Sequence, residues 1–329
     1  MSLFRRDPVT GRWTIFTPGK LLIENISVRH RSDTAPGFCP FCPGHESKTP
    51  NETFTIKSQD GSQWKLRVVP NKFPALSSDA LPAHETYGIY DLIEGFGIHE
   101  VVIESPNHTS DFGKYSSEEA RNVVRAWQER MKVLSVDKRV RYIMLFRNCG
   151  AEAGASLEHP HSQIIAIPIF PRLVADEIES SRRYYEWKER CVFCDIIHEE
   201  QAQGIRILIE TENFISFVPY AARFPYETWI LPRRHQRHFY KIDDKCRDEF
   251  AELLLQTLKR IDIALNLPPF NLVLHTTPCH EGEVGHYHWH LEIIPRLARI
   301  AGFEWGTGFY INPVAPENST RFLREAELE

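Results

Sequence analysis

No stretch of this chain comes near 18 uninterrupted apolar residues, which removes a membrane-spanning helix from consideration. The opening residues, Met1-Ser2-Leu3-Phe4-Arg5-Arg6-Asp7-Pro8, hold no apolar signal core. These two absences lead to the expectation of a cytoplasmic protein without a membrane partner. An excess of charge is missing too, since the formal net charge is -5 and the sequence pI is near 6.3. That balance leaves no global footprint for nucleic acid, although a local basic pocket for a small phosphate compound stays open. Cysteine is sparse and odd in number, seven in 329 residues. Four of the seven form two Cys-x-x-Cys pairs with histidines downstream, and in a reducing compartment that favours metal over disulfide. Cys149, Cys246 and Cys279 lack such spacing and read as packed thiols.

What is present is repetition. His159-Pro160-His161-Ser162-Gln163 followed by Ile164-Ile165-Ala166-Ile167-Pro168 returns 127 residues later as His286-Tyr287-His288-Trp289-His290 followed by Leu291-Glu292-Ile293-Ile294-Pro295. The same offset pairs His108 with His235, and Cys39-Pro40-Phe41-Cys42 has a counterpart in Cys191-Val192-Phe193-Cys194. A hydrophobic content of 42% lets the chain bury the core of one large or two medium domains, and the repeat means that it is read in halves.

Short β-branched and aromatic runs at Arg12-Trp13-Thr14-Ile15-Phe16, Trp64-Lys65-Leu66-Arg67-Val68-Val69 and Glu100-Val101-Val102-Ile103-Glu104 read as strands. Ser116-Ser117-Glu118-Glu119 is a capping-box signal, and Val123, Val124, Trp127, Met131 and Leu134 follow at helical spacing. Shifted by 127, the cap falls on Asp243 and the stripe on Leu254, Leu258 and Ile261. Arg141 to Phe146 and Phe270 to Leu274 precede their motifs as strands. Each half therefore predicts an α+β unit with mainly antiparallel pairing and one packed helix. A polar helical connector from Leu173 to Arg190 joins them, with the boundary between Phe170 and Ser180.

Zinc takes four soft or borderline ligands in a tetrahedron, and Cys-x-x-Cys supplies two thiolates from one turn. In the first half the remaining candidates are His108 and His159, completing Cys39 and Cys42. The second half offers Cys191, Cys194 and His235, with His286 or His288 as the fourth; the alternative there is a relic without metal. On a strand His159, His161 and Gln163 share one face, roughly 7 Å apart. A zinc-bound His159 would hold His161 rigidly beside it, and a neutral imidazole with one nitrogen occupied presents the other as a nucleophile.

The His-x-His-x-Gln motif, preceded by Asn148-Cys149-Gly150-Ala151-Glu152-Ala153-Gly154-Ala155-Ser156, resembles the galactose-1-phosphate uridylyltransferase family, a duplicated branch of the histidine triad superfamily. Arg6 to Trp13, the Cys39-x-x-Cys42 turn and Gly302-Phe303-Glu304 extend the resemblance over nearly the whole chain. It implies two histidine-triad-like halves, residues 1–175 carrying catalysis and residues 176–329 forming the second, in a homodimer. It implies one zinc in the first half and a second metal in the C-terminal half. The implied reaction is ping-pong: His161 attacks the α-phosphorus of a nucleotide sugar, releases a hexose 1-phosphate, and passes the nucleotide to a second sugar 1-phosphate. Asn148, Gly154 and Ser156 match positions around the phosphates, Asn71 and Phe73 a nucleoside-pocket segment, and Glu304 a sugar-hydroxyl contact. Gln163 suits a transferase, because a phosphate leaving group is weakly basic and needs an amide donor rather than an acid.

The expected activity is UMP exchange between UDP-glucose and galactose 1-phosphate. Alternatives are an ADP-glucose phosphorylase, a nucleotide-binding protein without turnover, and a histidine-triad hydrolase. The family's Arg-Ala-Lys-Arg-Pro stretch is replaced by Gly19-Lys20-Leu21-Leu22-Ile23-Glu24, with only Arg29 and Arg31 to compensate. Trp305 to Pro313 looks closer to the phosphorylase branch. The second motif lacks the Gly-Ala-Ser approach and has Glu281 and Glu283 upstream, which suits a metal better than an incoming phosphate. His286 matches His159 by register, whereas His288-Trp289 resembles the ligand position of phosphorylase-like relatives.

Overall fold

The computed structural model describes residues 1–17, 37–282 and 285–327. Gly19 to Glu24, Arg29, Arg31 and Glu283 lie outside the described residues. In chain order the strands begin with β1 (Leu3–Arg6), β2 (Trp13–Phe16), β3 (Phe54–Lys57), β4 (Trp64–Pro70), β5 (His84–Tyr87), β6 (Tyr90–Ile93) and β7 (Ile98–Ile103). Helix α1 (Ser117–Leu134) leads to β8 (Tyr142–Cys149) and β9 (His161–Ile167). Helices α2 (Arg172–Lys188) and α3 (Val192–Gln203) precede β10 (Ile207–Glu210), β11 (Phe214–Phe217) and β12 (Thr228–Pro232). The second half closes with α4 (Asp244–Leu265), β13 (Phe270–His275), β14 (His290–Pro295), α5 (Gly302–Thr307), β15 (Tyr310–Asn312) and α6 (Pro316–Arg324).

Ten strands form one antiparallel sheet in the order β10-β11-β12-β14-β13-β8-β9-β7-β4-β3. Five come from each half in mirrored order, and the halves meet where β8 pairs with β13, placing Asn148 opposite Asn271. The architecture is α+β, as the sequence pattern predicts.

Helix α1 starts where its cap dictates. The Ser116 side chain accepts from the Glu119 backbone N–H, and Glu119 answers the Ser116 N–H, so two orphan donors are satisfied reciprocally. Asp243 caps α4 by accepting from Cys246 N at 2.8 Å. The apolar stripes of both helices are buried, with Trp127 of α1 fully enclosed and its indole N–H bonded to Ser162 Oγ at 2.7 Å, while Phe250 of α4 packs on the enclosed Trp289 just ahead of β14. Gln128 reaches across to the Ile242 carbonyl at 2.6 Å, tying the two halves' helical layers. Burial of these stripes outweighs anything helix propensity supplies.

The connector is the single helix read in the sequence, and a second helix follows it. Helix α2 ends at Lys188, Glu189 takes a left-handed conformation, and α3 begins after Cys191, which sits at its N-cap. A small sheet, β1-β2-β15, clasps the two ends of the chain together, reinforced by Arg5 donating to both Glu317 oxygens at 2.8 and 3.1 Å. Among the described residues no helix is long and apolar enough to cross a membrane.

Candidate metal centres and active site

The segment before β3 and the loops after β7 and ahead of β9 bring Cys39, Cys42, His108 and His159 together, all four ligand atoms lying within 4.8 Å of one another. His159 Nε2 points at the Ser105 carbonyl at 2.8 Å. A carbonyl only accepts, so Nε2 carries the proton and the Nδ1 lone pair faces the cluster. Nδ1 of His159 lies 3.2 Å from His108 Nδ1, 3.7 Å from Cys39 Sγ and 3.6 Å from Cys42 Sγ. A tetrahedral zinc with the usual bond lengths sets ligand-to-ligand separations of about 3.3 Å for two nitrogens and about 3.6 Å for nitrogen and sulfur. The cluster is thus already at zinc spacing, and its S₂N₂ donor set is one that zinc prefers. Burial, helped by His108 and opposed by the Ser105 bond, pushes the His159 imidazole down to about 4, so it is neutral at pH 7 as a ligand must be.

Two residues on, His161 repeats the device. Its Nδ1 donates to the carbonyl of His159 at 2.8 Å, which leaves the Nε2 lone pair free. Nε2 has no partner among the described residues, and the ring lines a cavity of about 470 Å³. Burial lowers the pKa of His161, keeping a neutral imidazole available. His159, Pro160, Asn148, Gly150, Ser156 and Lys114 line the same cavity. Gly150 and Gly154 both have φ of 85°, a conformation that a side chain would strain, and they turn the chain tightly between β8 and β9.

Asn148 is oriented from the other half. Asn271 Nδ2 donates to Asn148 Oδ1 at 2.9 Å and to the Ala153 carbonyl at 2.8 Å, so the Asn148 amide nitrogen is left for the cavity. Beneath the motif strand, Arg147 is buried with its Nε on Glu104 at 3.1 Å and Nη2 on Asp111 at 2.7 Å, and Cys149 donates its S–H to Asp111 at 3.1 Å. Cys149 is thus a buried free thiol, packed in the apolar core as the sequence suggests and also bonded to this ionic network. Neither Asn271 nor this network has a motif that would reveal it in sequence.

Gln163, Asn71, Phe73, Gly154 and Glu304 are not among the residues lining the cavity. Gln163 follows His161 on the same face of β9 and hydrogen bonds His99, with Asn71 next to that ring. Phe73 is exposed, its N–H held by Asn71 Oδ1 at 3.0 Å. The Glu304 carboxylate accepts from the Ala301 N–H at 2.9 Å and caps α5, in the segment leading to the small sheet.

The second half assembles Cys191, Cys194, His235 and His288. His288 Nε2 donates to the Pro232 carbonyl at 2.8 Å, and its Nδ1 is 3.8 Å from Cys194 Sγ, while His235 Nδ1 is 3.5 Å away. Donor chemistry and spacing again fit zinc. Of the two histidines left open by the sequence, His286 stays outside: only its backbone carbonyl meets Cys191, at 3.4 Å. Ser105 and Pro232, like His108 and His235, keep the 127-residue offset, but His159 corresponds to His288 at 129. Two extra residues enter between the strand β13 and the motif. By that corrected register His290 stands for His161 and Glu292 for Gln163.

His290 is buried against Phe193, Trp229 and His275 rather than lining a cavity. Glu292 pairs with Arg223, and His275 bridges Glu177 at 3.1 Å and Glu292 at 3.7 Å. Glu177, His275, His290 and Glu292 also cluster closely enough to hold an ion, but these ion pairs already engage the two carboxylates and His275.

A duplicated antiparallel sheet with a Cys₂His₂ cluster in each half and a buried imidazole beside the first defines a duplicated histidine-triad-like nucleotidyltransferase fold. A family model described as "Galactose-1-phosphate uridyl transferase, N-terminal domain" matches residues 5–171, and the chain belongs to that family. A second model, of a domain of unknown function, matches residues 99–326. An ADP-glucose phosphorylase from Arabidopsis thaliana is 37% identical over 98% of this chain and 93% of its own length. A galactose-1-phosphate uridylyltransferase from Thermotoga maritima is 31% identical over the full length of both chains. The crystal structure of an Arabidopsis ADP-glucose phosphorylase with bound ADP-glucose superposes with a TM-score of 0.84 at 35% identity, covering 100% of both chains. Membership makes this chain a nucleotidyltransferase enzyme.

Proposed function

We propose that the enzyme transfers a nucleoside monophosphate from a nucleotide sugar to a phosphate-bearing acceptor through a covalent intermediate on His161. The observation that carries this reading is the fixed tautomer of His161, with Nδ1–H on the His159 carbonyl and an unpartnered Nε2 at the cavity. In the first step the Nε2 lone pair forms a bond to the α-phosphorus, and the bond from that phosphorus to the bridging oxygen breaks. The electron pair leaves with hexose 1-phosphate. In the second step an acceptor phosphate oxygen attacks the same phosphorus and the N–P bond returns its electrons to His161.

The chain's own residues make both steps symmetrical. The His159 carbonyl stabilises the positive imidazole that exists while the nucleotide is attached, Asn148 offers an amide N–H and Lys114 a cation at the cavity, and Gln163, beyond the cavity lining but two residues along β9 on the face of His161, offers a second amide to the phosphate oxygens. Zinc held by Cys39, Cys42, His108 and His159 would fix the backbone that carries the His159 carbonyl. A second zinc on Cys191, Cys194, His235 and His288 would lock α3 to the second motif.

For donor and acceptor we favour ADP-glucose and inorganic phosphate, on the greater identity to the ADP-glucose phosphorylase. UDP-glucose with galactose 1-phosphate is the second reading, supported by the full-length match to the Thermotoga enzyme. Each donor, labelled at the α-phosphate, is incubated with enzyme, and label on His161 and released glucose 1-phosphate are measured. ADP-glucose should label His161, and phosphate should discharge it as ADP. Labelling by UDP-glucose with discharge by galactose 1-phosphate selects the second reading, and no label from either donor refutes the covalent route.

A further inference from the structure

We propose that His99 is a positioning residue that sets which end of the Gln163 amide faces the substrate phosphate; this rests on the covalent reading above. His99 lies on β7 and Gln163 on β9. Val101 pairs directly with Gln163, so His99, two residues earlier, is its diagonal neighbour on the same face of the sheet. His99 Nε2 meets Gln163 Oε1 at 2.8 Å. Beyond the ring, Asn71 Nδ2 sits 3.4 Å from His99 Nδ1 and 3.2 Å from Nε2, while Asn71 Oδ1 is engaged by the Phe73 N–H at 3.0 Å.

The contacts at the two ends of this row set its polarity. The Phe73 N–H can only donate, so Asn71 must present Oδ1 to it and turn its amino group to His99. At the other end of the row Gln163 Oε1 lies 2.8 Å from Nε2 and can only accept, which places an imidazole proton on Nε2, while the Asn71 amino group, within 3.4 Å of both ring nitrogens, is compatible with a lone pair on Nδ1. With that proton in place, Gln163 keeps Oε1 on His99 and its NH₂ turned away. The Gln163 amide nitrogen has no partner among the described residues, which leaves two N–H donors for phosphate.

The opposite tautomer would reverse the result. With Nε2 bare, Gln163 would swing its amino group to His99 and aim a carbonyl oxygen at the phosphate, where two acceptors repel. One proton on His99 thus decides whether Gln163 helps or hinders. The second half has no such row: Glu292, at the position of Gln163, is met by Arg223 and His275.

Kinetics and a direct reading of the proton test this. The rate of nucleotidyl-His161 formation is measured for His99→Phe, His99→Gln, Gln163→Ala and the double variant His99→Phe/Gln163→Ala. His99→Phe should slow the step roughly 10- to 100-fold. His99→Gln, which can still donate to Oε1, should recover most of that rate. In the Gln163→Ala background His99→Phe should cost less than about twofold, because the effect passes through the amide. An equal loss in both backgrounds, or no loss in either, overturns the proposal. Nitrogen-15 NMR of the unsubstituted enzyme, tracing the imidazole proton, should place it on Nε2 of His99; a proton on Nδ1 alone also overturns it. If no donor labels His161, the covalent reading fails, and the tautomer measurement still decides the His99 arrangement.

Discussion

The Nδ1 of His161 hydrogen bonds the backbone carbonyl of His159 at 2.8 Å, so the candidate nucleophile is held by the same residue whose ring faces Cys39 and Cys42. Metal centre and nucleophile are one covalent turn apart. Replacing His161 by Asn should remove the nucleotidyl-enzyme and lower turnover by on the order of 10⁴-fold or more. Intact-mass spectrometry after incubation with donor should show the added nucleotide on the unsubstituted chain alone.

Metal content separates the two clusters. The unsubstituted protein should carry two zinc ions per chain by elemental analysis. Cys42→Ser should lose one of them together with most activity, since the His159 carbonyl is no longer fixed. Cys194→Ser should lose the other and act chiefly on stability. Because binding of a structural metal is folding free energy, a fall in Tm of about 5 °C or more is expected for each.

Asn271 should behave as an active-site residue contributed by the second half. Asn271→Ala strips the partner from Asn148 Oδ1 and from the Ala153 carbonyl. The leftover acceptors should cost about 1 to 3 kcal/mol of stability. Turnover should fall roughly tenfold, with KM less affected. Denaturant titration and steady-state kinetics check the two effects separately.

The buried His275 predicts an alkaline weakness. Burial alone would lower its pKa, but Glu177 and Glu292 on either side lift it to about 10 from an ordinary 6.5. A raised folded pKa means that the folded state binds the proton more tightly, so this stabilisation is complete below pH 6.5 and is lost as pH climbs through about 10. Thermal melts from pH 6 to 10 should show Tm falling with pH, and His275→Gln should flatten that slope. A parallel slope in the variant would assign the loss elsewhere.

Much of this architecture is legible in residue order because it is local. The capping box at Ser116, its analogue at Asp243 and the two apolar stripes are each written within one helix, and α1 and α4 begin where those signals lie. The alternation His159, His161, Gln163 likewise states its shared face. Cys191-x-x-Cys194 was less transparent: read as a turn, it is the start of α3, where Phe193 and Ile197 make a short buried stripe that the long polar connector masks. The choice between His286 and His288 was hidden by a two-residue slip, since one constant offset cannot describe a repeat that gains residues midway. Asn271, Arg147 and His99 act through contacts between strands distant in sequence, and nothing in a single strand's pattern announces its neighbour.

The seam between β8 and β13 has a consequence for how such a chain can change. In an assembly of two identical subunits every substitution is made twice, so a residue that improves one site alters its twin. Here the two sites lie on one polypeptide and each codon touches one of them. Position 163 could therefore stay a neutral amide while position 292 became a buried anion with its own arginine. Linkage across a single sheet released the pair from identical inheritance without separating them in space.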